Sequence, residues 1–142
     1  MEKWVSDFIE RIDQLSPDST PTFGKMNVSQ MLCHCADQLR LINHELKIGF
    51  DDRIAPNELV ALSRAGKSVP TPKGLDQVNG EGTQPTSFDA DKETLKQLLI
   101  SYAELPTDFN CGLHPYFGNI DKEAWHRLVL YHLNHHLTQF SV

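Results

Sequence analysis

One stretch near the carboxyl end of the chain, from Trp125 to Phe140, has the sequence WHRLVLYHLNHHLTQF. If its side chains advance by about 100° per residue, as in an α-helix, the apolar ones gather on one side. That side is defined by Trp125, Leu128, Val129 and Phe140. His132 and His136 fall in the middle of the same side, one helical turn apart. The stretch therefore predicts a long amphipathic helix whose buried face carries two imidazoles.

This pair of imidazoles suggests a ligand. The Cβ atoms of residues four apart on a helix are about 6 Å apart, close enough for both rings to bind one metal ion. Each buried ring also has nitrogens that need partners, and a metal would supply one. The alternative is that His132 and His136 are hydrogen-bonded histidines of the core or of a cleft. The pair alone leaves the two interpretations in balance. His126 falls at or beyond one edge of this face, and His135 near the other.

A third metal ligand would have to come from another helix, because metal sites normally use at least three protein donors. His34 is the best candidate, since it lies in the middle of a second predicted helix beside the apolar residues Met31 and Cys35. Considered alone, His34 would more readily be a hydrogen-bonded histidine at the edge of the core. His44, near the end of the same helix, is expected to be exposed.

Two further groups of residues could suggest chemistry. Cys33-His34-Cys35 resembles half of a zinc finger, but alternate residues of a helix point in different directions, and Cys111 is too isolated to complete such a site. We therefore expect Cys35 in the core and Cys33 near the surface. His114 precedes a proline and is expected in a turn, where a structural role is favoured over a place at the mouth of a cleft.

Working outward from the last helix, four segments show helical periodicity and none shows the alternation of a strand. Their expected ranges are 4–15, 27–47, from 89 or 91 to 106, and from 121 almost to the carboxyl end. Asn27 and Gln30 have the spacing of a capping box, and Gly49 follows the second segment as a stop signal. The pattern predicts one all-α domain over residues 1–142, built as a helical bundle.

Residues 50–88 connect the second and third predicted helices and are rich in glycine and proline. A short helix over residues 57–63 is expected within them. So long a connection in a compact chain often forms a lid or a binding loop. In a bundle it could also be the long crossover that lets consecutive helices run parallel.

The composition excludes several classes of function. The chain has 142 residues, of which 39% are hydrophobic and 23% charged, as in a globular protein. Its net charge of -6 argues against a nucleic-acid surface. The apolar runs are too short to span a membrane. Charges near Met1 argue against an export signal, and three cysteines are too few for a disulfide framework, so a cytoplasmic location is expected.

Two signatures resemble a known family. The segment 114–118, with the sequence HPYFG, together with Trp125 and the segment 132–140, resembles the DUF1569 branch of the DinB/YfiT-like superfamily. The segment 23–34 is similar to the helix-two signature of that branch. The resemblance covers essentially the whole chain and is weakest in the connection between helices two and three.

The resemblance implies a fold and a metal site. Members of this superfamily are four-helix bundles with a long crossover between helices two and three. They bind a divalent metal, usually nickel or zinc, through one histidine of helix two and an H-x-x-x-H pair of the last helix. Carried over to this chain, the ligands would be His34, His132 and His136, and His135 would be the histidine between them that does not bind.

The resemblance also implies a type of reaction, because the superfamily includes thiol-dependent S-transferases and a maleylpyruvate isomerase. We expect an enzyme whose metal activates a thiol or water for transfer to, or hydrolysis of, a small electrophilic substrate. The expected partners are that substrate and a low-molecular-weight thiol, with no nucleic acid or membrane, and a homodimer is left open. Gln38, Gln139, His135 and His114 are candidates to contact the ligands or line the cleft.

Two other functions remain as alternatives. One is a non-catalytic metal-binding or stress-associated bundle. The other is a haem or electron-transfer bundle, which needs axial ligands on facing helices. An i, i+4 pair on one helix is poorly arranged for that role.

Overall fold

The computed structural model describes residues 1–142 and contains five α-helices and no β-strand. The helices are α1 (Lys3–Asp13), α2 (Val28–Ile42), α3 (Pro56–Arg64), α4 (Phe88–Ala103) and α5 (Lys122–Gln139). A single 3-10 turn covers Gln77–Asn79. The predicted all-α class is confirmed.

Polar side chains define the starts of the three longest helices. The Asn27 side chain accepts from the Gln30 N–H at 2.8 Å and the Gln30 side chain accepts from the Asn27 N–H at 2.9 Å, which confirms the capping box. The Ser87 hydroxyl caps α4 by accepting from the Ala90 N–H at 3.2 Å, so this helix begins slightly earlier than predicted. Asp121 caps α5. These bonds satisfy amides that have no partner within the helix.

Four of the five helices pack together around the core. α2 contacts α4, α5 and the 3-10 turn, and α1 contacts α4 and α5. The backbone of α3 contacts no other helix, and Leu59 is its buried residue. The largest fully buried side chains of the four packed helices are Trp125, Ile12, Met31, Leu32, Leu39, Ile42, Leu95, Leu99, Leu133, Leu137 and Val5.

Helices α2 and α5 run in opposite directions. Just before α2, the Thr22 N–H donates to the Gln139 carbonyl at the end of α5, at 2.8 Å. At the other end, Gly112 joins the two helices: its N–H donates to the Ile42 carbonyl at 3.0 Å, and its own carbonyl accepts from the Trp125 indole at 3.0 Å. This antiparallel arrangement places the middle of α2 against the last turns of α5.

α2 ends at Ile42, earlier than the predicted limit near Lys47. His44 adopts a left-handed conformation, with φ of 71°, and its Nε2 lies 2.6 Å from the Asn110 carbonyl. The chain around Gly112 approaches the end of the helix so closely that a Cβ at this position would clash with the Leu41 carbonyl. A segment far away in the sequence therefore sets the end of α2. Helical periodicity is a local pattern and does not reveal such a contact. His44 is exposed, as expected.

The expectation that Cys33 lies near the surface is wrong, because this residue is only 3% exposed. α2 is covered by α4 on one side and by α5 on another, and every residue from Met31 to Leu39 is buried. A helix in the centre of a bundle has no exposed face along this stretch. Cys35 is in the core, as predicted.

The connection over residues 50–88 has more structure than the sequence indicates. It contains α3, close to the predicted short helix, and the 3-10 turn. The buried Asp51 carboxylate pairs with the Arg53 guanidinium at 2.6 Å and accepts from the Lys73 N–H at 3.1 Å. The Tyr116 hydroxyl donates to the Pro70 carbonyl at 2.6 Å. The Asp51 bonds hold the connection together, and the Tyr116 bond holds it against the turn before α5.

No helix combines the length and the apolar character that crossing a bilayer requires.

Candidate metal centre

The structure brings three histidines of two helices together. His34 lies in the middle of α2, and His132 and His136 lie one turn apart near the end of α5. The ring centroids are 4.8 Å apart for His34 and His132, 4.8 Å for His34 and His136, and 4.5 Å for the α5 pair. The nitrogens that could bind an ion all lie within 4.8 Å of one another.

The surroundings of His34 fix which of its nitrogens is free. Its Nδ1 lies 2.9 Å from the Leu75 carbonyl oxygen and 3.1 Å from the Gln77 side-chain oxygen. The Gln77 amide is itself oriented, because its nitrogen donates to the Asp37 carboxylate at 2.8 Å. Both neighbours of Nδ1 are acceptors, so Nδ1 carries the proton of the neutral ring. The lone pair of Nε2 is left available for an ion.

His136 is held by the same kind of contact. Its Nδ1 lies 2.8 Å from the Gln139 side-chain oxygen, and the Gln139 amide nitrogen donates to the Phe23 carbonyl at 2.7 Å. The carbonyl of Phe23 can only accept, so it fixes the orientation of the Gln139 amide. Nδ1 of His136 is therefore the protonated nitrogen, and its Nε2 is free.

His132 differs from the other two histidines. Its Nε2 lies 2.9 Å from Nε2 of His34, so this nitrogen faces the centre of the cluster. Its Nδ1 is buried and has no hydrogen-bond partner. Buried polar atoms without a partner are rare, and each calls for an explanation. Of the three candidate ligands, His132 is the one whose outer nitrogen has no partner in the structure.

Burial keeps the cluster neutral. Burial lowers the pKa of all three imidazoles, to about 3 for His136, and the fields of the neighbouring histidines lower the pKa of His132 further. Neutral imidazole is the form that binds a metal ion. The three rings are thus neutral at neutral pH, so none carries a positive charge that would oppose an ion.

The residues present fit a divalent ion. Ligands about 2.0–2.1 Å from a tetrahedral zinc are roughly 3.3 Å from one another, so the observed cluster needs only small ring movements to hold one. Three protein ligands leave a coordination position open, as in catalytic rather than structural sites. Imidazole ligands suit zinc, copper, iron and nickel. The donor set itself therefore does not select one metal.

A charged group behind His34 supports the arrangement. The fully buried Asp37 carboxylate accepts from the Arg40 guanidinium at 3.0 Å, from the Gln77 amide at 2.8 Å and from the N–H and hydroxyl of Thr83 at 2.8 and 2.7 Å. Asp37 thereby fixes Gln77, and Gln77 fixes His34. The connection over residues 50–88 thus forms part of the wall of the site.

The other candidate residues lie around the cluster in different ways. Gln139 contacts His136 directly, as described above. Gln38 is buried one turn beyond His34 on α2, and its side-chain oxygen has no partner. His135 is exposed, and its ring packs against Phe23, Tyr131 and the ring of His136, but it is not one of the three residues whose nitrogens converge.

His114 lies in a turn before α5 and has a structural contact. Its Nδ1 accepts from the N–H groups of Tyr116 and Phe117 at 3.0 and 3.1 Å, and its ring packs on Trp125. The three cysteines are buried and free, and none belongs to the cluster.

Sequence reasoning missed Asp37, Leu75 and Gln77. Asp37 is one turn from His34 on α2, and a carboxylate within a stretch rich in apolar residues was a signal that could have been used. Leu75 and Gln77 are about 40 positions away from the groups they contact, and no local pattern marks them.

The fold and the site define a class of protein: an all-helical chain in which three histidines converge. The chain belongs to the family described as protein of unknown function (DUF1569), which matches residues 57–142, more than half of the chain. The match includes His132 and His136 but not α2, so it is shorter than the whole-chain resemblance expected above. No curated protein and no solved structure matched the chain.

Proposed function

We propose that this protein is a DinB-like four-helix bundle and a divalent-metal-dependent enzyme, with His34, His132 and His136 as ligands. The observation that carries the proposal is the convergence of three neutral imidazoles, two of which have their Nε2 lone pairs turned inward by fixed acceptors. Nickel and zinc are the proposed metals. The bundle consists of α1, α2, α4 and α5, and the connection containing α3 is the crossover.

When bound, the ion supplies positive charge that three neutral ligands do not compensate, which favours the deprotonated form of a thiol or water. The protein's own part is to hold the rings in place. Gln139 and Phe23 hold His136, while Asp37 and Gln77 hold His34. The proposed reaction is displacement of a leaving group from a small electrophile, either by the activated thiolate, which forms the new bond to sulfur, or by activated water, which hydrolyses the electrophile. The proposed partners are that substrate and a low-molecular-weight thiol.

A non-catalytic metal-binding or stress-associated bundle is the second candidate. The observation that favours this candidate concerns Asp37, the carboxylate whose charge acts on His34. Its oxygens are already bonded to Arg40, Gln77 and Thr83. A carboxylate with this many partners is a poor general base. Turnover of electrophiles with glutathione and related thiols by the metal-loaded protein would favour the enzyme. Metal binding without turnover would favour the second candidate.

The ligand assignment is tested by alanine substitution. His132→Ala and His136→Ala are each expected to abolish stoichiometric zinc or nickel binding, because two imidazoles hold such an ion weakly. His135→Ala is the matched control: this exposed ring lies on the same helix and packs against His136, but it offers no nitrogen to the cluster, so the variant should bind zinc or nickel. Equal metal content in a folded His136→Ala variant and in wild type would contradict the assignment.

A further inference from the structure

Two buried side-chain polar atoms in the structure have no hydrogen-bond partner, the side-chain oxygen of Gln38 and Nδ1 of His132. They belong to the two helices that carry the candidate ligands. An amide oxygen is an acceptor, and the Nδ1–H of a histidine bound through Nε2 is a donor. The two unsatisfied atoms are therefore chemically complementary.

The directions of the helices place these residues at the same level of the bundle. His34 contacts both histidines of α5, with ring centroids 4.8 Å from each. Because α2 and α5 are antiparallel, moving forward by one turn along α2 corresponds to moving back by one turn along α5, from His136 to His132. Gln38 lies one turn after His34 and on the same face of α2, because residues four apart share a helix face. Gln38 therefore lies on the His132 side of the cluster.

The other two ligands already show the same kind of contact. The Nδ1 of His34 faces the side-chain oxygen of Gln77, and the Nδ1 of His136 faces that of Gln139. Each of these glutamines comes from a different part of the chain. His132 is the one ligand without a glutamine in this position.

We propose that Gln38 is a positioning residue that accepts a hydrogen bond from Nδ1–H of His132 when the three histidines hold a metal ion. In the structure, Nε2 of His132 faces Nε2 of His34, whose proton is on the other nitrogen, so His132 donates through Nε2. Its Nδ1 is then an acceptor. When Nε2 binds the ion, the proton moves to Nδ1. The side-chain amide of Gln38 can pair with either form of His132. Its nitrogen can donate to an unprotonated Nδ1, and after rotation its oxygen can accept from a protonated Nδ1.

This inference rests on the proposed metal site, and zinc affinity tests it. Removal of the partner of a metal-binding histidine typically weakens binding roughly 10- to 100-fold. Gln38→Leu should lose affinity in this range in competition with a chromophoric chelator. Gln38→Glu, which can accept but not donate, should bind close to wild type. Gln97→Leu is the control, since this exposed glutamine of α4 makes its side-chain hydrogen bond to Glu93 and not to a candidate ligand.

A second readout separates positioning from general loss of structure. In zinc-loaded wild type, long-range proton–nitrogen NMR spectra should show a protonated Nδ1 for His132 that exchanges slowly with water. In Gln38→Leu this proton should exchange faster, while those of His34 and His136 are unchanged. If the leucine variant does not fold, Gln38→Met provides an unbranched side chain of similar length for the same two measurements.

The outcomes are distinguishable. A wild-type protein that binds no zinc would overturn the proposed function itself. A wild-type protein that binds zinc, with Gln38→Leu equal to it in affinity and in the exchange of the His132 proton, would overturn this inference alone.

Discussion

At the scale of single residues, the candidate centre depends on which nitrogen of each imidazole carries the proton. Nδ1 of His34 and Nδ1 of His136 both face oxygens that are themselves fixed by another bond. A ring held in this way loses little conformational freedom when it binds an ion, so the entropic cost of binding is small.

Gln139 offers a direct test of this support. Gln139→Leu removes the acceptor of His136 and also the donor to the Phe23 carbonyl. We predict that zinc affinity falls by roughly 10- to 100-fold, because His136 can then adopt the other tautomer or turn away. Titration with a competing chelator measures the change. A variant that folds and binds zinc as tightly as wild type would show that this bond does not orient the ligand.

The burial of His114 predicts that the stability of the fold depends on pH. Burial lowers its pKa from the ordinary 6.5 to about 4, and its Nδ1 must remain an acceptor for two backbone N–H groups. Since the unfolded chain binds this proton more readily, the contribution of His114 to stability is complete above pH 6.5. It declines as the pH falls towards 4.

His114→Asn should reduce this acid sensitivity, because an amide oxygen can accept the same two bonds without titrating. The free energy of unfolding, measured by urea denaturation between pH 7 and pH 4, should fall less steeply with acid than in wild type. Parallel curves for the two proteins would contradict the assignment of His114 as a buried neutral acceptor.

At the scale of elements, local patterns predicted the starts of helices better than their ends. Asn27 and Asp121 cap α2 and α5 through short-range contacts that are visible in the sequence. The end of α2 is set instead by Gly112, about 70 positions further on. The exposure of Cys33 was mispredicted for the same reason, since it depends on how many helices surround α2.

The end of α2 makes a testable prediction about Gly112. A Cβ at this position would meet the Leu41 carbonyl, so Gly112→Ala should destabilise the fold by about 1–3 kcal/mol. Gly49→Ala is the control, because a Cβ there has no neighbour within 4 Å, and its effect should stay within about 0.5 kcal/mol. Urea denaturation compares the two variants. Equal stabilities would mean that the close approach of the chain to α2 is not maintained.

The candidate site was predictable to the extent that it is local. The spacing of His132 and His136 on one helix face is a property of α5 alone, and the sequence indicates it. His34 needed the resemblance to a family, because helical periodicity does not say which faces of α2 and α5 meet. Gln77 could not be found in advance, since its contacts with Asp37 and His34 span about 40 positions.

At the scale of the whole molecule, an ion bound by these residues would link α2 to α5. Such an ion binds the folded state and should stabilise it, by about 4 kcal/mol at a free concentration 1,000 times its Kd. For a chain of this size we predict a rise in Tm on the order of 10 °C on zinc addition. The His34→Ala variant should show no such rise. A zinc-independent Tm in wild type would contradict a link between the two helices.

The most direct test of the metal centre is elemental analysis of the protein purified without a histidine tag. The convergence of His34, His132 and His136 predicts close to one equivalent of a divalent transition metal per chain, with nickel or zinc expected. It also predicts that the metal is lost on treatment with a strong chelator and regained on reconstitution. Folded protein that contains no metal and takes up neither nickel nor zinc would contradict the account.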